Sequence, residues 1–132
     1  MATKTKKTTK PKPKKIFTMT VVSGDPNADL RDNKNRLRAR CWGYYFNRKD
    51  AAWAIENNAT DMSELDYYHF AVLSEMGEGP MPFGKEVQWY EFHWDHDPAE
   101  MNDNDVIWPV LVAVTKISKP PQYEQVLFGG LS

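Results

Sequence analysis

Between residues 36 and 45 the chain alternates, and after residue 47 its period changes. Arg36, Arg38, Arg40 and Trp42 take one set of alternate positions; Leu37, Ala39, Cys41 and Gly43 take the other. Alternation of this kind predicts a half-buried strand with a row of guanidinium groups on one face. Further on, Ala51, Ala52, Ile55 and Ala59 share one face at helical spacing, which predicts a helix. Asn47 suits its N-cap, and Asp50 suits the positive helix end. Phe46 and Ala51 stand where a hydrophobic staple would close. Asn57-Asn58 supplies the residue type that ends helices in a left-handed conformation.

The remaining pattern reads as strands. Residues 16–23 alternate Phe17, Met19 and Val21 with Thr18, Thr20 and Val22, and Gly24-Asp25-Pro26-Asn27 follows as a turn. Residues 67–76 place Tyr68, Phe70 and Val72 on one face and Tyr67, His69, Ala71 and Leu73 on the other. Residues 86–94 set Val87, Trp89, Glu91 and His93 against Gln88, Tyr90, Phe92 and Trp94. Large rings on both faces imply a central strand, or one covered by a second subunit. The β-branched run 106–115 predicts a last strand, with Pro109 at its start or edge. Ser118 and Pro120-Pro121 suit the start of a short helix over 122–128.

The expected fold is α+β: an antiparallel sheet of four or five strands, one main helix and a short C-terminal helix. Expected core positions are Met19, Val21, Cys41, Ala51, Ile55, Phe70, Val72, Tyr90, Phe92, Leu111 and Ala113.

Charge changes the picture at one end. Residues 1–15 hold seven lysines and no acid, whereas residues 16–132 hold ten basic and eighteen acidic side chains, a net charge of −8. A lysine, threonine and proline tail of this composition buries nothing, so 1–15 reads as disordered and 16–132 as a single domain. The acidic body argues against a broad nucleic-acid surface on the fold; the tail could still attract nucleic acid loosely. Cys41 is the lone cysteine, so no intrachain disulfide forms, and a reducing cytosol is the expected location. No apolar run is long enough to span a membrane.

Candidate chemistry is sparse. His93 and Asp95 would share a face if their strand continued, but Pro98 follows closely and no third ligand is fixed by spacing; a metal hydrolase built on His93, Asp95 and His96 is the best enzyme reading. The aspartates of the 24–35 loop do not follow the offsets of a calcium-binding hand. No glycine-rich phosphate loop and no nucleophile signature is evident, so no catalysis and no cofactor are expected. The arginine face admits two readings. It is either a solvated edge or an anion site, since Arg holds phosphate oxygens in a planar, bidentate way. Trp42, with Trp89 if its strand is the neighbour, would add a stacking plane.

Several short stretches resemble one family. They are Arg40-Cys41-Trp42-Gly43-Tyr44-Tyr45, Ala51-Ala52, Asn58, Asp61-Met62 with Glu64, residues 67–72, Gly77-Glu78-Gly79, Gln88-Trp89-Tyr90, Lys119-Pro120 and Phe128-Gly129-Gly130. The pattern is similar to small phage α/β proteins of the Thoeris anti-defence type. The resemblance implies a sponge, which sequesters a cyclic ADP-ribose-like immune signal without turning it over. It also implies oligomers and a host-cytosol location. The implied contacts centre on arginine and aromatic positions around Arg40 and Trp89. The lysine tail, the first strand with its polar loop, and residues 95–105 lie outside the pattern. Combining both lines gives Arg36, Arg38, Arg40, Trp42 and Trp89 as candidate ligand-binding residues, with a small cyclic nucleotide as partner and a homo-oligomer as the assembly. The alternative is a virion or DNA-associated accessory protein that uses its basic tail.

Overall fold

The computed structural model describes residues 15–64, 66–78, 84–98 and 107–128. The elements are β1 (Lys15–Ser23), β2 (Arg38–Tyr45), α1 (Arg48–Glu56), β3 (Phe70–Gly77), β4 (Gly84–Trp94) and β5 (Leu111–Ile117). Short 3₁₀ turns lie at Ala59–Asp61 and Pro121–Tyr123. All strand pairs are antiparallel, in the order β2-β1-β3-β4-β5. The α+β architecture is the expected one. Of the tail expected over 1–15, residues 1–14 fall outside the described residues, while Lys15 opens β1 and pairs with Gly77.

Local chemistry explains α1. The Asn47 side chain accepts from the Lys49 amide at 2.8 Å, and Asn58 adopts the left-handed conformation (φ 47°, ψ 48°) beyond the helix end. Ala51, Ala54 and Ile55 face inward. The expected staple is not built, because Phe46 is 71% exposed and packs edge-on against Tyr44 instead.

The sheet is covered on both faces. On one, α1 and the loop after it pack Ala51, Ala54, Ile55, Met62 and Tyr68 against Met19, Val21, Ala71, Leu73, Tyr90 and Phe92. On the other, the C-terminal segment lays Tyr123 and Phe128 over Val22, Val72 and Trp89. That segment contains one 3₁₀ turn where a helix over 122–128 was expected. It is pinned by Tyr123 donating to the Gly24 carbonyl (2.7 Å), Ser74 donating to the Phe128 carbonyl (3.0 Å) and the Phe128 amide donating to Glu86 (2.9 Å). Trp89 and Trp94 do lie on opposite faces, but the cover leaves Trp89 only 4% exposed. The open ring that motivated a second subunit there is therefore closed by the chain itself.

Three bulges redirect side chains. The register leaves Trp42, Val87 and Val112 each without a partner opposite. Gly43 consequently pairs with Met19 on the helix face, and Val87 packs into the helix-side core, opposite to Trp89. Tyr68 and Phe70 also part company, because Tyr67 has φ 50° and the strand starts only at Phe70. Of the expected core, Cys41, Phe70 and Leu111 are half-buried and Ala113 is exposed. Ala113 sits on the edge strand, paired to His93, where neither α1 nor the C-terminal segment supplies cover.

Candidate functional site

β2 carries its cations on the helix side of the sheet. Arg40 pairs with Val21 and Arg38 with Ser23, so both arginines share the face of Val21. Trp42 joins them because the bulge keeps it on that side, packed against the core. The Arg40 guanidinium lies over the Trp42 ring, 5.4 Å from its centroid, in cation–π geometry. Arg38 Nη1 lies 3.8 Å from Asp66 Oδ1. Its Nε is buried and has no hydrogen-bond partner among the described residues.

The loop after α1 walls this face. Thr60 Oγ1 accepts from Trp42 Nε1 at 2.7 Å, fixing the indole edge. Tyr68 is buried; burial raises its pKa, Asp66 adds to the rise, and Arg38 and Arg40 oppose it. The same loop contains Asn58, Thr60, Asp61 and Tyr67, the four non-glycine residues with positive φ among the described residues. Positive φ costs most for a β-branched residue such as Thr60 (φ 54°), and strain of this kind gathers where a surface is shaped for binding.

Two of the five sequence candidates are placed elsewhere. Arg36 precedes β2, in an isolated bridge to Asp25, so the row of three arginines is a row of two. The turn there depends on Gly24 (φ 91°), since a Cβ would lie 2.0 Å from the Arg36 carbonyl oxygen. Trp89 is not beside Trp42. Strands β1 and β3 separate β4 from β2, and Trp89 faces the other way. Its ring stacks on Tyr123 (5.7 Å, 13°) and its Nε1 donates to Glu86 Oε1 at 3.2 Å. Trp89 thus builds the core under the C-terminal segment.

The metal-like stretch has other partners. His93 Nε2 is 2.7 Å from Thr115 Oγ1, and His96 Nδ1 is 2.8 Å from Asp95 Oδ1. Asp95 also accepts from the Val110 amide, which is the first cause of its lowered pKa. Among the described residues no three His, Cys, Asp or Glu side chains could hold a metal ion together. In the 24–35 loop, Asp25, Asp29 and Asp32 accept from backbone amides two or three residues ahead.

One constellation was invisible to spacing. Ser23 Oγ lies 2.6 Å from His69 Nδ1, and His69 Nε2 lies 3.3 Å from Asp97 Oδ1. The three residues come from β1, the residue just before β3 and the loop after β4, so no motif joins them. Ser23 is only 1% exposed. A nucleophile must be reached by its substrate, so here the row ties three elements together.

Compared with known proteins, the chain matches no family model, no curated protein and no solved structure.

Proposed function

We propose that the face made by Arg38, Arg40 and Trp42 binds a small phosphorylated nucleotide without turning it over. Following the family resemblance, the ligand is a cyclic ADP-ribose-like signal, and the protein is a phage-type anti-defence sponge. The observation that carries the reading is two guanidinium groups on one strand face beside an indole, with Arg38 Nε buried and unpartnered among the described residues. The rest of the body is acidic, so positive potential is concentrated at this face. The two arginines would hold phosphate oxygens, and the ring under Arg40 would become a stacking surface as that guanidinium turns to the anion. A stacked base contributes about 1–3 kcal/mol, and a charge-assisted hydrogen bond about 1.5–3 kcal/mol. One stacked base with two such bonds sums to about 4–9 kcal/mol before the cost of association, so tight holding calls for more contacts than these three.

Calorimetry against cyclic ADP-ribose isomers and cyclic di- and trinucleotides tests the reading. One member of the panel should bind and be recovered unchanged on denaturation. Arg40→Ala should weaken it by about tenfold or more, with the melting temperature of the free protein nearly constant. Silence across the panel from folded protein would overturn the proposal.

A further inference from the structure

Charge on the body is unevenly spread. Residues 16–132 hold ten basic side chains, and seven of them fall between Arg31 and Lys49, against one acid, Asp32. This segment comprises the loop before β2, β2 itself and the start of α1. Most of its cations are unused by the fold. Lys34, Arg36, Arg40, Arg48 and Lys49 are exposed and form no ion pair among the described residues. By contrast, Lys116 pairs with Glu56 and Lys119 with Glu86. Rings are interleaved with the free cations. Tyr44 is 52% exposed, Tyr45 37% and Phe46 71%. Phe46 meets Tyr44 edge-on at 5.7 Å, so the two rings make one exposed aromatic corner. β2 is the outer strand of the sheet, and its arginines and the bulge at Trp42 discourage another protein strand from adding. Its eight residues leave an edge of about 26 Å to a partner of another kind.

We propose that this edge, from Arg36 to Lys49, binds single-stranded nucleic acid, with phosphates on the cations and unpaired bases on Tyr44 and Phe46. A track of cations with rings between them holds a single strand without reading its sequence. A duplex keeps its base faces stacked inside, so the same rings would gain little from it. Charge confines the contact to one strip: the rest of the body is acidic and repels phosphate, so the strand is held where the cations are. The basic tail joins the fold at the same end. Phe17 pairs with Tyr45, and Lys15 stands two residues before it, so the six lysines of residues 1–14 are tethered to the ring-bearing end of the strip. The proposal goes beyond the small-ligand reading and does not rest on it, because Tyr44, Phe46, Arg48 and Lys49 are no part of the face made by Arg38, Arg40 and Trp42.

Fluorescence anisotropy with the full chain tests it, using a labelled oligothymidylate of about 15 nucleotides and a duplex of equal length. The single strand should bind at low salt, at least tenfold more tightly than the duplex. Phe46→Ala and Tyr44→Ala should each weaken it about fivefold or more, with an unchanged circular dichroism spectrum. Lys49→Ala should lower the slope of log affinity against log salt by about 0.7, one phosphate contact being lost. Lys85→Ala, an exposed cation on β4, should change nothing. No binding of the single strand at low salt would overturn the proposal. So would equal affinity for the duplex, or full affinity in both ring variants, which would leave the tail alone as the binder. Phe46→Ala keeps Arg38, Arg40 and Trp42 in place, so calorimetry on that variant scores the small-ligand reading separately.

Discussion

Tyr123 anchors the C-terminal segment through its own chemistry. It is fully buried, and its phenol donates to the Gly24 carbonyl. Burial, the largest cause, pushes its pKa up to about 12. Tyr90 is likewise pushed to about 12, by burial first and then by Glu56. A raised acid pKa means the native state holds its proton longer than the unfolded chain. The resulting stability is fully present below the unfolded value of about 10, and it is lost as pH rises from there through the folded value. Up to about 2–3 kcal/mol for each phenol should vanish between pH 10 and 12. Urea midpoints measured across that range should fall steeply, and Tyr123→Phe should flatten part of the slope while costing about 1 kcal/mol at neutral pH. An unchanged slope would mean the phenol is not the titrating group. Residues of this kind are hard to read from sequence. Tyr123 follows two prolines in a polar stretch, and nothing nearby signals a partner as distant as Gly24.

At the scale of elements, Glu86 is the clasp of the C-terminal segment. Its carboxylate accepts from Trp89 Nε1 and the Phe128 amide, and it pairs with Lys119 at 3.0 Å. Lys119 in turn donates to the Val126 carbonyl at 2.7 Å. Phe128→Ala should cost about 3–5 kcal/mol, and Glu86→Ala about 2 kcal/mol from lost charge-assisted bonds. In both variants Trp89 emission should shift to the red, because the stacked cover over its ring loosens; a constant spectrum would sink this account. Helix α1 was legible to the residue in its caps, since Asn47 and Asn58 act locally. The five strands were legible from alternation and β-branching. What alternation could not show was the extra residue at Trp42, Val87 and Val112, because a bulge is defined by the partner strand. The candidate site was legible in part for the same reason. Arg38, Arg40 and Trp42 are neighbours on one strand, whereas the relation of Trp89 to them depended on strand order.

Across the whole molecule, the order β2-β1-β3-β4-β5 joins two locally connected halves. One is the β1–β2 pair with α1; the other is the β3–β4–β5 meander. Their strands meet along one seam, where Lys15 pairs with Gly77 and Val22 with Phe70, and α1 packs across it. Among the described residues no other strand pairing reaches so far along the chain. During synthesis the first half therefore leaves the ribosome with one side of β1 unsatisfied, and it must wait for residues 70–77. Closing that long loop is the entropic step, so the seam sets the folding speed. Stopped-flow refolding should show Val21→Ala, on the seam, slowing folding with little change in unfolding. Val114→Ala, on the outer strand, should mainly speed unfolding. The reverse pattern would mean that the outer strands nucleate and β1 is the last to arrive.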